Sequence, residues 1–278
     1  MDVNNKNGGG VDAGIFPAVF VSHGAPTLAV EENDTTEFLR RLGGGLGRPR
    51  AVLCVSAHWN TMTPTVCAAE RPETIHDFGG FPEELYRIRY AAPGAPALAA
   101  RVAGLLDASG LVCAVSRERG LDHGAWVPLR LMYPSADVPV AQLSIQPQQD
   151  PAYHLRLGRA LAPLRTEGVL VLATGSVTHN LARLGAGGAP PEWAREFEEW
   201  LHGKVTGGAV EDLLDYRRLA PHAQTAHPTD EHLLPLFVAL GAGGDADTSR
   251  GRSLHRGWTV GSLSMAAYSF GPAPLNIG

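Results

Sequence analysis

The chain has 278 residues, 44% of them hydrophobic, and a formal net charge of −5 at pH 7. This length suits one large α/β unit whose core needs no disulfide for stability. The charge is spread along the chain without a basic stripe, which argues against a nucleic-acid partner. No apolar run reaches the ~18 residues of a membrane-spanning helix, so we expect no membrane partner.

The cysteines and the amino terminus indicate a cytoplasmic protein. Cys54, Cys67 and Cys113 are odd in number and far apart, and each lies in an apolar run. We therefore expect small buried thiols in a reducing compartment. Residues 1–14 are polar and glycine-rich and lack the apolar segment of a signal peptide. We predict a disordered lead over 1–14, a single domain over 15–278, and a monomer or small homo-oligomer.

Short apolar runs alternate with helical segments along the chain. In chain order we predict strand 18–22, strand 51–56, helix 95–108, strand 138–144, a helix from Pro151 behind an Asp150 cap to about 165, strand 169–174, helix 191–204, a helix from a Thr229 cap to about 240, a loop over 241–251, and a hairpin or edge strands over 254–270. This alternation predicts an α/β fold with a central mixed, largely parallel sheet flanked by helices on both faces.

Eleven histidines are the most informative residues of the sequence. His23, His58 and His179 lie at or just after the ends of predicted strands, where sites form in open α/β sheets. His232 lies in the first turn of the predicted helix 229–240, where the helix dipole favours the neutral imidazole that binds metals. Together these positions predict a metal site, although each histidine alone is equally consistent with a structural role.

The other histidines leave alternatives open. His123 lies in a loop that leads into a helix, and it is either an acid/base that serves a substrate or a capping or core residue. His76 lies in the glycine-rich stretch 75–82, which could line a pocket. Most of the remaining histidines are expected in solvent, namely His154, His202, His222 and His255.

Nine stretches carry a resemblance to a known family. They are VSHGAP at 21–26, SAHW at 56–59, IHDFGGFP at 75–82, APGAP at 92–96, LDHGAW at 121–126, MYP at 132–134, QLSI at 142–145, TGSVTHNL at 174–181 and EHLLP at 231–235. Each is weak alone, but together they span nearly the whole chain. The sequence resembles the class III extradiol ring-cleaving dioxygenases, in the DOPA 4,5-dioxygenase-like subgroup.

The resemblance implies a catalytic domain over 15–278 that opens the ring of a DOPA-like or caffeate-like catechol with O2 at non-haem Fe(II). The implied metal ligands are His23, His58 and His232. The resemblance also implies that His179 lies at the metal, either as a fourth ligand or as the catalytic acid/base. His123 matches a second active-site histidine that assists the substrate.

The metal itself is the point at which the sequence departs from the wider family. Many related enzymes supply a carboxylate as third ligand, and Glu231 is available here, but the subgroup pattern points to His232. An all-histidine set accepts zinc readily, so we expect Zn(II) to compete with Fe(II) in purified protein. Two alternatives follow: a zinc-dependent hydrolase with a three-histidine site, and a non-catalytic metal-binding or small-molecule-binding protein.

Overall fold

The computed structural model describes residues 14–185, 188–244 and 250–271. Its strands are β1 Ala18–Ser22, β2 Ala51–Asn60, β3 Thr65–Cys67, β4 Ala114–Ser116, β5 Val140–Ile145, β6 Val169–Gly175, β7 Arg252–His255, β8 Trp258–Thr259, β9 Leu263–Ser264 and β10 Ala267–Phe270. The lead expected over 1–14 lies outside the described residues except for Gly14, and so does part of the predicted loop 241–251.

Helices occupy most of the chain between the strands. The α-helices are α1 Asp34–Leu46, α2 Glu83–Arg87, α3 Pro96–Ala108, α4 His123–Met132, α5 Pro151–Leu161, α6 Glu192–Gly207, α7 Val210–Leu214, α8 Tyr216–Leu219, α9 Ala223–Ala226 and α10 Leu234–Ala242. Short 3-10 helices cover Pro26–Ala29, Ala162–Glu167 and Leu181–Arg183. Within the described ranges, no helix combines the length and apolarity that a bilayer crossing requires.

One eight-stranded sheet organises the molecule, with the strand order β4-β3-β5-β2-β6-β1-β10-β7. Neighbouring strands are parallel from β5 through β2 and β6 to β1. Strand β10 pairs antiparallel with β1 on one side and with β7 on the other. Strands β8 and β9 form a separate hairpin. The predicted single α/β domain with a mixed, largely parallel sheet is confirmed.

Helices cover both faces of the sheet because its central strands are apolar on both sides. Phe20 and Leu53 point to the face covered by α3, α5, α6 and α10, where they join one buried cluster. Val19 and Val52, their neighbours in sequence, join a second cluster with α1 and α4 on the opposite face. All four side chains are fully buried, so the central strands are anchored from both sides.

Two boundaries that matter for the histidines differ from the sequence expectation. Strand β2 continues to Asn60, so His58 lies inside the strand rather than after it. The helix expected from Thr229 begins only at Leu234, because Pro235 fits the first turn of a helix and would break its interior. His232 therefore lies in the turn before α10, and the dipole argument for this residue was wrong.

His154 was expected in solvent but is fully buried in the first turns of α5. The Gln146 N–H donates to its Nε2 over 3.2 Å, so the ring proton resides on Nδ1 and donates to the Asp150 carbonyl over 2.9 Å. Asp150 caps α5 as predicted, its carboxylate accepting from the backbone N–H of Tyr153 over 2.7 Å. Both nitrogens of this imidazole thus have partners within the protein.

Candidate metal centre and active site

The carboxyl ends of the neighbouring strands β2, β6 and β1 meet at one edge of the sheet. His23 follows the last residue of β1, and its N–H donates to the carbonyl of Gly175, the last residue of β6, over 3.0 Å. His58 lies near the end of β2, where the pairing with β5 becomes irregular after Val55. His179 follows β6 by four residues. This edge therefore gathers side chains that are far apart in the sequence.

His232 reaches the same edge through a close backbone approach. The Ser176 N–H donates to the His232 carbonyl over 2.8 Å. A Cβ atom at Gly175 would lie 2.1 Å from that carbonyl oxygen, so only glycine permits the approach. The end of β6 thus positions both His23 and His232 through backbone contacts.

The Nε2 atoms of three histidines converge. They are 3.0 Å apart between His23 and His58, and 3.3 Å apart between His58 and His232. Nitrogen ligands at 2.0–2.1 Å from one ion would be about 2.9 Å apart at a right angle and about 3.3–3.4 Å apart at a tetrahedral angle. Facing lone pairs repel at such distances unless a cation or a proton lies between them. The donor set therefore fits a single cation.

Two further histidines border this group. The His123 ring centroid lies 3.9 Å from that of His58, and the His179 ring stacks on His232 with centroids 3.4 Å apart and an 8° angle between the planes. All five histidines that the sequence singled out are thus in one place. Possible ligand atoms lie within 4.8 Å of one another in two groups, one of His23, His58 and His123, the other of His179, Glu231 and His232.

A carboxylate that the sequence analysis missed joins two of these imidazoles. Asp77 Oδ1 accepts from the backbone N–H and from Nδ1 of His123, each over 2.9 Å. Its Oδ2 lies 3.4 Å from Nδ1 of His58. Glu231 plays a similar part for His232, with 3.0 Å between Oε1 and Nδ1. Among the described residues, Nδ1 of His23 has no hydrogen-bond partner although it is buried.

A second, fully buried carboxylate supports the same side of the site. Asp122 caps α4 and so places His123 at the first position of that helix. Its Oδ1 accepts from the Ser56 hydroxyl over 2.6 Å, and that hydroxyl accepts from the His58 N–H over 3.2 Å. Burial raises the pKa of this carboxyl group. Its other oxygen accepts hydrogen bonds from the side chains of Arg119 and Gln142.

The site disfavours charged imidazoles. Burial, followed by the neighbouring histidines, lowers the pKa of His23 and of His232 well below the ordinary value of 6.5. Burial, and then the proximity of His123, lowers the pKa of His58 to about 3. For Asp77, burial is outweighed by the hydrogen bonds from His123, and its pKa falls to about 2. Neutral imidazoles backed by ionised carboxylates are the form that binds a metal.

Aromatic side chains form a wall beside His123. The Phe78 ring is edge-on to the His123 ring, with centroids 5.7 Å apart, and packs against Phe81 and Tyr86 at 5.5 and 5.1 Å. His76, a candidate pocket residue, packs behind this wall against Trp126, with Nε2 3.1 Å from the Ile88 carbonyl. The wall gives the site an apolar side suited to a flat ring.

Comparison with known proteins agrees with this architecture. A family model described as the catalytic LigB subunit of aromatic ring-opening dioxygenase matches residues 17–271. The chain therefore belongs to this family of class III extradiol ring-cleaving dioxygenases and is an enzyme of that class. The resemblance inferred from the nine sequence stretches is confirmed.

Individual relatives sharpen the comparison. A 4,5-DOPA dioxygenase extradiol from Beta vulgaris is 42% identical over 271 residues, which cover 94% of this chain and 98% of that protein. A protein of the same name from Escherichia coli (strain K12) is 42% identical over 265 residues, 92% of this chain and 95% of the relative. The crystal structure of an uncharacterized protein from Escherichia coli K12, 36% identical, matches with a TM-score of 0.78 over 92% of this chain and 100% of that chain.

Proposed function

We propose that this chain opens the aromatic ring of a catechol with O2 at Fe(II) held by His23, His58 and His232. The observation that carries the proposal is the convergence of three Nε2 atoms at 3.0 and 3.3 Å. The names of the relatives favour a DOPA-like catechol, and a caffeate-like catechol is the second candidate. Fe(II), when bound, lowers the pKa of the catechol hydroxyls and exchanges electrons between catechol and dioxygen.

His179 is better suited to proton transfer than to a place among the ligands. An imidazole binds an ion in the plane of its ring. The rings of His179 and His232 are nearly parallel, with centroids 3.4 Å apart, so their in-plane lone pairs lie in two separate planes and do not point to a common position. We therefore assign His179 the role of acid/base rather than fourth ligand.

His123 has the hydrogen bonds of a base at rest. Its Nδ1 faces the Asp77 carboxylate over 2.9 Å, so in the neutral ring the proton resides on Nδ1 and the lone pair is on Nε2. That nitrogen would accept a hydrogen bond or a proton from a catechol hydroxyl at the apolar wall. The two histidines thus have separate roles in proton transfer. His123 receives a proton on the side of the site lined by Phe78, and His179 is the acid/base beside His232.

The two arginines near the wall are engaged within their own segment. Arg87 pairs with Glu83 over 2.7 Å at the exposed surface. Arg89 donates to the backbone carbonyls of Tyr86 and Ile88 over 2.8 and 3.0 Å. These contacts favour a role for both arginines as surface charges over a role in binding a substrate carboxylate.

The test is oxygen uptake by the full chain, stripped of metal and loaded anaerobically with Fe(II), with DOPA, caffeate and simpler catechols. We expect one O2 consumed per ring opened and a coloured product. Alanine at His23, His58 or His232 should abolish metal binding, whereas His123→Ala should keep the metal and slow turnover by about 10²–10⁴-fold.

His154→Gln is the matched control, because it alters a buried histidine outside the site. It should retain both iron and activity. Full iron content in all three ligand variants would refute the metal assignment. Hydrolytic activity with Zn(II) in the absence of O2 would refute the dioxygenase proposal in favour of the zinc hydrolase.

A further inference from the structure

We propose that Asp77 is a positioning residue that sets the tautomers of His58 and His123 together, and so links metal binding to proton transfer. The inference rests on the proposed function, in which His58 holds the metal and His123 handles a proton. Its structural basis is the division of the two carboxylate oxygens: Oδ1 accepts twice from His123, and Oδ2 faces Nδ1 of His58.

The contact fixes which nitrogen of each ring is free. A carboxylate only accepts hydrogen bonds, so an imidazole nitrogen that faces it carries a proton. Nδ1 of His123 donates to Asp77, and Nδ1 of His58 lies 3.4 Å from the other carboxylate oxygen, so in each neutral ring the lone pair is on Nε2. For His58 this Nε2 is the atom that lies 3.0 Å from Nε2 of His23. Asp77 thus presents the correct nitrogen of His58 to an ion and the correct nitrogen of His123 to a substrate.

Other contacts keep the two rings near this carboxylate. The His58 backbone N–H donates to the Ser56 hydroxyl, and that hydroxyl donates to the Asp122 carboxylate. A Cβ at Gly124 would lie 2.8 Å from Cδ2 of His58, so the first turn of α4 packs directly against that ring. Because the backbone is fixed in this way, the choice of tautomer is left to Asp77.

The variant Asp77→Asn isolates the role of the second oxygen. The two N–H groups of His123 retain the amide oxygen at the position of Oδ1. The amide NH2 group then faces Nδ1 of His58, where two donors would meet. His58 avoids this clash by moving its proton to Nε2, and the lone pair that should bind the ion is lost. A substitution that barely changes shape is therefore expected to weaken metal binding.

Glu231 provides the matched comparison. Its Oε1 accepts from the His232 ring over 3.0 Å and from the Thr229 hydroxyl over 3.0 Å, and within the described part of the chain it hydrogen-bonds a single imidazole. In Glu231→Gln the amide oxygen can remain at that position, and no ring has to change its tautomer. We expect a smaller loss of metal affinity than in Asp77→Asn.

The first measurement is the 15N chemical shifts of the histidine side chains in the full chain after metal removal. His58 and His123 should carry their proton on Nδ1, and in Asp77→Asn the proton of His58 should move to Nε2. A wild-type His58 protonated on Nε2, or no change in the variant, would overturn the proposal. Since neither metal nor turnover enters this readout, it stands apart from the proposed function.

The second measurement is Zn(II) and Co(II) affinity by chelator competition. Asp77→Asn should bind each metal about 10–100-fold more weakly, the range typical when a partner of a metal ligand is removed. Glu231→Gln should lose less than tenfold, and the surface variant Glu83→Gln should match the wild type. Equal losses in Asp77→Asn and Glu231→Gln would overturn the proposal. A wild-type chain that binds no metal would instead refute the proposed function.

The third measurement is kcat and KM of Asp77→Asn, which distinguish an effect of Asp77 on the histidine side chains from a general loss of folding. At saturating Fe(II), kcat of Asp77→Asn should stay below that of the wild type, because His123 has lost its carboxylate, while KM changes little. Full recovery of kcat on adding metal would show that Asp77 acts on His58 alone and would overturn the proposed link. If Asp77→Asn fails to fold, Asp77→Ser removes both carboxylate oxygens from the two rings, so the fraction of His58 protonated on Nδ1 and the metal affinity should again fall, and an unchanged value of both would overturn the proposal.

Discussion

The buried His154 on α5 and the buried histidines at the sheet edge both have lowered pKa values, but they differ in the partners of their ring nitrogens. Burial lowers the pKa of His154 on α5 to about 4, and it lowers the pKa of His58 at the sheet edge to about 3. The nitrogens of His154, however, are both paired with backbone groups. At the sheet edge the Nε2 atoms of His23, His58 and His232 face one another instead.

The difference shows that a lowered pKa does not identify a functional site. Burial alone makes an imidazole neutral, whether it serves the fold or a metal. What distinguishes the sheet edge is a set of lone pairs that the protein itself leaves without donors. The stability of that region should therefore respond to metal, whereas the stability around His154 should respond to pH.

The largest expected effect is that of metal removal. A ligand that binds only the folded state stabilises it by about 4 kcal/mol at a free concentration of 1,000 Kd. Saturating metal should therefore raise the free energy of unfolding of the wild type by about this amount, measured by urea denaturation with metal and with chelator. His154→Gln should show the same gain and His232→Ala none. A metal-induced gain in stability that was lost in His154→Gln would contradict the distinction between the two histidine regions.

The second effect is the pH dependence due to His154. Its pKa is about 4 in the fold and near the ordinary 6.5 when unfolded, so the unfolded chain binds the proton first. The stabilisation is complete above pH 6.5 and is lost as the pH falls towards 4, by up to about 3 kcal/mol. The measurement is the difference in free energy of unfolding between wild type and His154→Gln from pH 7 to pH 4.

The difference between the two proteins isolates this residue, because the other histidines titrate in both. In His154→Gln the amide oxygen can still accept from the Gln146 N–H, so the fold is retained. We expect the wild type to lose its advantage over the variant as the solution is acidified. Parallel curves across the whole range would contradict the role assigned to burial at this position.

The sequence predicted the half of the site that depends on strand ends. Strands β1 and β6 are continuous apolar runs with clear ends, and these ends place His23 and His179. It did not predict that His154 is buried, because Asp150 signals the start of α5 but not which side of the helix faces the sheet. Nor did it predict the turn before α10, where the cap-like Thr229 competes with Pro235.

The role of Asp77 could not be predicted from local sequence patterns. Its contact with His123 joins residues 46 positions apart, and nothing in the spacing predicts it. The same holds for Asp122, whose partner Ser56 is 66 positions away. The histidines could be singled out because their type is informative, whereas the carboxylates that orient them depend on the three-dimensional fold.

A smaller effect concerns the turn that carries His232. The Arg217 guanidinium bridges the Asp230 carboxylate and the His227 carbonyl, and both charged side chains are about one-third exposed. We expect Arg217→Met to cost about 1–2 kcal/mol of stability, since hydrogen bonds to charged groups are discounted by exposure. It should also weaken metal binding several-fold, by loosening the turn.

The neighbouring arginine is the control for this variant. Arg218 pairs with Asp215 at the surface, with 73% of its side chain exposed. Arg218→Met should change neither the unfolding midpoint nor the metal affinity measured by chelator competition. Metal affinity that is unchanged in Arg217→Met as well would show that the position of His232 is set by Gly175 and Ser176 alone.

The smallest effect tests the aromatic wall. Phe78 is edge-on to His123 at 5.7 Å, and Tyr153 is edge-on to His154 at 5.4 Å, so the two histidine regions share a local contact. Such a contact contributes about 1 kcal/mol. If Phe78 also packs against the substrate ring, Phe78→Ala should raise KM for a catechol about fivefold and leave metal affinity unchanged. Tyr153→Ala is the control, because it loses an equivalent contact at a residue that does not touch the substrate. Its stability should fall while KM stays unchanged. A rise in KM in Tyr153→Ala equal to that in Phe78→Ala would mean that Phe78 acts through the stability of the fold.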